Sequence, residues 1–253
     1  MKIIKIIKLK GSKYKVIFDN NNELILYEDI IVKYVLFPNK VIDDKLLVKI
    51  KLENEEAKIY DKCLRYITTK LRSEKEIKTY LEGQINNKII IIKTINRLKK
   101  EGQINDYQFA TAYLNDRWQF SNAGLAKIKK ELFDHGIDED IIMKVSLSIT
   151  EEMIMEKIIK LVTKQIKLNS KYSGNILKRR ILNYMYNLGF EQVFVLKYLD
   201  TLNFKNTQNL EKEFKRLYDL YAKKYTDDIL KLKIKQKLYQ KGYDDTDIND
   251  LWP

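Results

Sequence analysis

The stretch IKKELFDHGI, residues 128–137, recurs in modified form as ILNYMYNLGF at 181–190 and as IKQKLYQKGY at 234–243. Each copy has an apolar pair at i and i+4, which marks one face of a helix. Four residues after the pair comes a glycine, the residue that best adopts the left-handed C′ position ending a helix. The apolar residue after the glycine can then pack back on the residue at C3, which is Leu132, Met185 or Leu238. The glycines, at intervals of 53 residues, are Gly136, Gly189 and Gly242.

Three copies in register indicate an internal repeat rather than three unrelated helix ends. Repeats of this length predict a mainly α fold, with tandem three-helix modules in an elongated, curved array that binds a partner on its concave face. A fourth, degenerate copy begins with a capping box at Ser73 and Glu76, and has Ile85 where the glycine should be. Its third helix is expected at 89–100 and ends at Gly102. The four predicted modules are 56–104, 105–150, 151–203 and 206–253.

The first 50 residues have a different pattern, with a turn signal, DNNN, at 19–22. Four short runs rich in β-branched and aromatic residues predict strands that end near Pro38: 2–8, 14–18, 24–27 and 30–36. Helical periodicity replaces this pattern from about Glu55. We therefore expect a small antiparallel β domain at residues 1–50, placed before the helical modules.

Charge and cysteine content limit the classes of function. The chain has 48 basic and 35 acidic residues and a net charge of +13, which favours partners that carry phosphates or carboxylates. A single cysteine, Cys63, excludes disulfides within the chain, and its place on an apolar helical stripe predicts a core residue. No apolar run reaches membrane-spanning length, so we expect a cytoplasmic protein without membrane association. No coiled-coil heptads are present, which favours a monomer.

Residue patterns for catalysis are missing. The sequence has no phosphate-binding G-x-x-x-x-G-K-[ST], no G-x-G-x-x-G, no H-E-x-x-H and no G-x-S-x-G, so neither catalysis nor a cofactor or metal is expected. His135 precedes a helix-ending glycine, where a cation interacts with the last carbonyls. Asp244, Asp245 and Asp247 are expected to cap a short helix. The alternative for these three carboxylates is the metal site of a nuclease.

Basic residues supply the positive indication of function. On the repeated helix, the residue before the isoleucine is basic in every copy, as Lys127, Arg180 or Lys233. Such side chains form charge-assisted hydrogen bonds to carboxylates or phosphates. The predicted partner-binding residues are Arg72, Arg117, Lys127, Lys129, Lys130, Lys178, Arg179 and Arg180. The 17 tyrosines could stack on nucleic-acid bases, but most of them fall at the spacing of helical core residues.

Three segments resemble the RecX family of bacterial regulatory proteins: LRSEKEIKTYL (71–81), INRLKKEGQINDYQFATAYLNDR (95–117) and GLAKIKKELFDHGI (124–137). The resemblance covers nearly the whole chain and includes the amino-terminal β segment of longer members. Two positions depart from the family pattern. Ala123 replaces a common basic residue, which removes one expected contact, and Met185 replaces a leucine of similar volume.

The resemblance implies a protein that is not an enzyme. It implies binding in the helical groove of the RecA filament on single-stranded DNA, where it modulates strand exchange, ATPase and co-protease activity. It leaves open whether the DNA is contacted directly. The residues alone also permit a sequence-independent DNA-binding protein, built from tandem helix-turn-helix-like modules, that has no recombinase partner.

Overall fold

The structure is a computed structural model that describes residues 1–205 and 209–252. It is mainly helical and begins with a small antiparallel sheet. Two units divide the described chain. Unit 1 consists of Met1–Phe109 with His135–Ile137, and unit 2 consists of Ala110–Asp134 and the described residues from Asp138 onward. The first three residues and the last residue of the predicted module 206–253 lie outside the described residues.

The sheet has three antiparallel strands in the order β1-β2-β3. These are β1 (Ile3–Lys8), β2 (Lys13–Phe18) and β3 (Glu23–Tyr27). Each strand contributes one or two buried apolar side chains, and Ile3, Val16, Phe18 and Leu26 are almost completely buried. The first three predicted strands are thus confirmed.

The fourth predicted strand, 30–36, is wrong, because this segment contains most of a helix, α1 (Glu28–Lys33). Two acids in its first turn and a lysine in its last complement the helix dipole, which outweighs the β propensity of its isoleucines and valine. The predicted start of helical structure, near Glu55, is also late. Helix α2 (Asp44–Ile67) begins where the Asp43 carboxylate accepts a hydrogen bond from the Leu46 amide, at 2.7 Å.

Eleven further helices follow in the described chain. In chain order they are α3 (Glu74–Glu82), α4 (Lys88–Lys100), α5 (Asp106–Phe120), α6 (Leu125–Asp134), α7 (Glu139–Ser146), α8 (Glu151–Leu168), α9 (Gly174–Asn187), α10 (Gln192–Leu199), α11 (Leu210–Tyr221), α12 (Asp227–Tyr239) and α13 (Asp245–Asn249). The repeated apolar pairs are buried on the inner faces of α6, α9 and α12. Their counterparts on α3, Ile77 and Leu81, are fully buried as well.

The repeated glycines have the predicted left-handed backbone, with φ of +79° at Gly136, +85° at Gly189 and +90° at Gly242. At Gly189 the next amide, that of Phe190, donates to the Met185 carbonyl at 3.1 Å, as a Schellman motif requires. Tyr243 donates in the same way to Leu238 at 3.2 Å. The helix ends predicted from the sequence are therefore confirmed.

The same glycines also contact an earlier helix of the chain, which the repeat pattern did not predict. In unit 2 the Ala126 amide, at the start of α6, donates to the Gly189 carbonyl at 3.2 Å. The Ser173 amide, before α9, donates to the Lys241 carbonyl at 2.8 Å, next to Gly242. A Cβ on Gly189 would lie 2.5 Å from the Lys127 amide nitrogen. Glycine is therefore required both for the helix end and for the close approach to the preceding helix.

Candidate partner-binding surface

The first predicted contact residue, Arg72, lies beside a buried polar cluster of unit 1. Ser73 is completely buried, and its Oγ donates to the His135 carbonyl at 2.8 Å while accepting from the Glu76 amide at 3.2 Å. The Glu76 carboxylate accepts from the Ser73 amide at 3.3 Å, which confirms the predicted capping box. The Glu74 amide donates to Asp106 at 2.8 Å. The residues that carry the resemblance around Ser73 are thus joined by hydrogen bonds that stabilise the fold of unit 1.

The Arg72 side chain is largely enclosed, with 16% of its surface exposed. Its guanidinium stacks 4.2 Å from the centre of the Tyr66 ring, which itself stacks on Tyr80 at 4.0 Å. The nearest carboxylate is that of Glu76, at 3.9 Å. A cation held against an aromatic face in this way stabilises the local packing.

Arg117 forms an internal ion pair in unit 2. Its guanidinium donates two hydrogen bonds to the Glu131 carboxylate, at 2.6 and 2.8 Å, and Tyr113 donates a third at 3.1 Å. The bonds from Arg117 lower the pKa of Glu131 below its ordinary value, despite partial burial. This arrangement joins α5 to α6, so the role that the structure shows for Arg117 is to hold these helices together.

The basic triplet on α9 has three different environments. Lys178 is paired with Asp200 at 2.5 Å, and the Arg180 guanidinium lies 4.2 Å from the centre of the Tyr172 ring. Arg179 is exposed and has no ion pair within the described part of the chain. Of these three cations, Arg179 is therefore the one whose charge is fully available to a partner.

The basic residues of α6 are more open. In residues 1–205 and 209–252, neither Lys129 nor Lys130 has a carboxylate within 4 Å. Lys127 is exposed at its charged end, while its backbone and Cβ lie against Gly189. Its charge contributes to the lowered pKa of Glu131. Among the predicted contact positions, those on α6 thus have the most positive charge that is not paired with an acid in the described chain.

A shallow apolar depression lies beside these lysines in unit 2. It has a volume of about 390 Å³, and its lining residues are Lys129, Lys130, Phe133, Glu139, Ile142 and Met143. The Phe133 and Met143 side chains are 58% and 66% exposed. The combination of uncovered apolar side chains with unpaired cations at the edge is typical of a protein-binding surface.

Phe133 belongs to a feature that sequence reasoning missed. The residue three positions before each repeated glycine is aromatic, as Phe133, Tyr186 or Tyr239. All three side chains are exposed, although the residue before each of them is completely buried. The aligned copies contain this signal, although most of the tyrosines in the chain fall at core spacing.

Lys157 is a second feature that sequence reasoning missed. Its ammonium donates to the carbonyl oxygens of Trp118 and Ala123, at 2.7 and 3.0 Å, and lies 4.0 Å from the centre of the Trp118 ring. Burial, with repulsion from Arg117 and Lys160, lowers the pKa of Lys157 to about 8. The lysine caps the carboxyl end of α5, where a cation complements the helix dipole.

The other residues considered for catalysis or metal binding are Asp244, Asp247 and Cys63. Asp244 occupies the N-cap of α13, as predicted, but its side chain makes no capping hydrogen bond. Asp247 is paired with Lys205 at 3.0 Å, and burial raises the pKa of the Cys63 thiol to about 11. Among residues 1–205 and 209–252, no three or more His, Cys, Asp or Glu side chains are grouped to hold a metal ion.

His135, predicted at a helix end, packs with its ring edge-on to Phe109, 5.4 Å between ring centres. Its Nδ1 lies 3.8 Å from the Glu76 carboxylate. Within residues 1–205 and 209–252, no helix is both long enough and apolar enough to span a lipid bilayer.

Comparison with known proteins gives a consistent result. Residues 105–145 match the family described as RecX, second three-helix domain. Regulatory protein RecX of Streptococcus uberis is 31% identical over 260 residues, spanning 99% of this chain and 98% of its own. Its counterpart in Bacillus subtilis is 28% identical over 240 residues, spanning 93% of this chain and 91% of its own.

Two crystal structures have the same fold. One, of regulatory protein RecX, superposes with a TM-score of 0.72 at 21% identity, covering 79% of this chain and 99% of its own. The other, RecX from Lactobacillus salivarius, has a TM-score of 0.56 at 25% identity, covering 59% and 99%. Because a relative of 31% identity spans nearly all of both chains, this chain belongs to the RecX family of regulatory proteins.

Proposed function

We propose that this protein binds in the groove of the RecA filament on single-stranded DNA, and mainly inhibits its recombinase, ATPase and co-protease activities. It acts by binding, without catalysis of its own. The single observation that carries this proposal, beyond family membership, is the set of cations on α6 and α9 that have no carboxylate within 4 Å in residues 1–205 and 209–252. Lys129, Lys130 and Arg179 are among them.

Cations that have no acidic partner in the described chain, on helices that repeat, suit a partner that is itself built from repeated subunits. Each cation can form charge-assisted hydrogen bonds to a carboxylate or phosphate of the filament. A second module then binds at the high effective concentration set by the first, so modest contacts add up to stable binding. A monomer is sufficient for this mode, and the place of action is the cytoplasm, with RecA.

The cations that are held by neighbouring side chains within the chain have a different role in this proposal. Arg72, Arg117 and Lys178 are held by aromatic or acidic neighbours within the chain, and they shape the surface rather than supply its free charge. Lys127 and Arg180 are exposed at the repeated position and remain candidate contacts. Direct contact with the DNA would come from the same exposed set.

The test is the single-stranded-DNA-dependent ATPase of the RecA protein from the same organism, with the purified protein added at substoichiometric ratios and moderate salt. We expect inhibition, because one bound molecule blocks filament growth or function over several subunits. Absence of inhibition, together with tight and salt-sensitive binding to bare DNA, would instead support the tandem DNA-binding alternative.

A further inference from the structure

The exposed aromatic residues of the three repeats have no role in the core. Phe133, Tyr186 and Tyr239 are 58%, 67% and 44% exposed, and the residue before each of them is completely buried. One exposed aromatic side chain is ordinary on a protein surface. Three at the same place in successive repeats, where the core does not need them, indicate a shared function.

Phe133 has the best-defined surroundings. It borders the depression of about 390 Å³ between α6 and α7, whose apolar lining includes Ile142 and the exposed Met143. Lys129 and Lys130 stand at its edge without acidic partners in the described chain. Phe133, with apolar neighbours and with cations beside it, therefore matches an apolar pocket whose rim carries carboxylates.

The other two repeats pair their aromatic residue with a cation on the same helix face. On α9, Arg179 precedes Tyr186 by two helical turns. On α12, Lys235 precedes Tyr239 by one turn, and a hydrogen bond to Asp245 raises the pKa of the tyrosine. Lys235 lies 3.9 Å from the same carboxylate, an arrangement in which a partner's acid can compete for it.

We propose that Phe133, Tyr186 and Tyr239 are equivalent anchors that insert into acid-rimmed apolar pockets on successive copies of one protein subunit. This rests on the proposed function, in which those copies are the protomers of the recombinase filament. A protein surface fits better than nucleic acid, because Ile142 and Met143 extend the apolar surface beside Phe133 and neither is a ring on which a base could stack. Aromatic side chains of this kind carry a large share of binding energy at protein interfaces.

The experiment compares Phe133→Ala, Tyr186→Ala, Tyr239→Ala and the triple variant with the wild type. Binding to preformed filaments is measured by fluorescence anisotropy, and ATPase inhibition is measured in parallel. We expect each single change to weaken filament binding about tenfold and the triple change to weaken it more than 100-fold. Phe133→Tyr should retain binding, because it keeps the ring.

The matched control is Phe120→Ala, which removes an aromatic side chain that is 84% exposed but lies outside the repeated position. It should alter binding less than twofold. Far-UV circular dichroism and thermal unfolding should be unchanged in all variants, because the mutated side chains are exposed.

The outcomes separate the two proposals. Wild-type protein that neither binds nor inhibits filaments overturns the proposed function, and the anchor assignment with it. Wild-type inhibition that the triple variant retains overturns the anchors alone. If the triple variant loses binding to bare single-stranded DNA in parallel with the filament, the rings stack on bases, and the protein-pocket assignment is overturned.

Discussion

At the residue scale, single atoms decide how the repeats pack. Gly189 has a positive φ and receives the backbone of Lys127 so closely that no side chain fits between them. Gly83, by contrast, ends α3 with φ of −75°, and an added Cβ would make only ordinary contacts there, the nearest at 3.4 Å. Two helix-ending glycines in one chain thus have different requirements.

We expect Gly189→Ala to lower the free energy of unfolding by about 2–4 kcal/mol, because it adds both left-handed strain and a collision with α6. Gly83→Ala, the control, should change it by less than about 1 kcal/mol. Urea unfolding followed by circular dichroism measures both. Equal effects of the two changes would show that the contact between Gly189 and Lys127 is not tight.

Lys157 gives a prediction on pH. Its pKa is about 8 in the folded chain and 10.5 when unperturbed. Between these values the unfolded chain binds more protons at this position, so its contribution to stability rises with pH and is lost as pH falls through 8. We expect wild-type stability to increase relative to Lys157→Met by about 1–2 kcal/mol between pH 7.5 and 9.5, after allowance for solvent screening.

The measurement is urea unfolding of both proteins at several pH values. The tyrosines with raised pKa are common to both chains, so their titration cancels in the difference. A difference that is independent of pH would mean that the two carbonyl oxygens and the Trp118 ring hold Lys157 at its ordinary pKa.

At the scale of elements, α9 has one buried apolar face, and the proposed contact residue Arg179 lies on the opposite side of the helix. Its buried face carries Leu177, Ile181 and Met185, which hold it in unit 2. Its basic triplet lies outside this core, with Lys178 and Arg180 held by neighbours and Arg179 open. Substitution of Arg179 is therefore expected to leave the fold intact.

We expect reversal of Lys178, Arg179 and Arg180 to glutamate to weaken filament binding at least about tenfold and to leave the helical signal intact. Arg179→Glu alone should account for most of the effect. Affinity for filaments and far-UV circular dichroism are the two measurements. Full inhibition by the triple variant would show that α9 does not contact the partner.

The control changes charge by the same amount elsewhere. Lys212, Lys215 and Lys223 are exposed lysines on or just after α11, outside the repeated helices. Their reversal to glutamate should weaken binding much less than reversal of the triplet. An equal loss would show that net charge alone, rather than the position of the cations on α9, governs binding.

At the scale of the whole molecule, a net charge of +13 attracts any polyanion. A protein held on DNA by six or more phosphate contacts loses roughly 10³-fold in affinity between 50 and 200 mM salt. Anchors that insert into protein pockets are far less sensitive, because apolar burial does not depend on counterions.

We therefore expect binding to bare single-stranded DNA to be lost by about 200 mM salt, whereas inhibition of the filament weakens by only about tenfold. Titrations of both activities at several salt concentrations measure the two slopes. Equal slopes would show that phosphate contacts dominate, and would favour the DNA-binding alternative.

The sequence by itself determined the helix ends, the capping box, the first three strands and the family, because these depend on residues close together in the chain. Its errors were local too. The apolar run 30–36 has strand propensity, but acids before it begin helix α1. The long α2 begins at Asp44, where its apolar residues Leu47 and Ile50 join the core beneath the sheet.

Only the tertiary structure decided which predicted cations are free. The sequence does not distinguish Arg117 from Lys129 and Lys130, since all three are predicted contact cations. In the structure Arg117 pairs with Glu131, whereas Lys129 and Lys130 have no carboxylate within 4 Å in the described chain. The tertiary structure also placed Gly189 against Lys127 and left Phe133 uncovered. These facts depend on side chains from distant segments, because burial and ion pairing are decided by whatever the folded chain brings within a few ångströms.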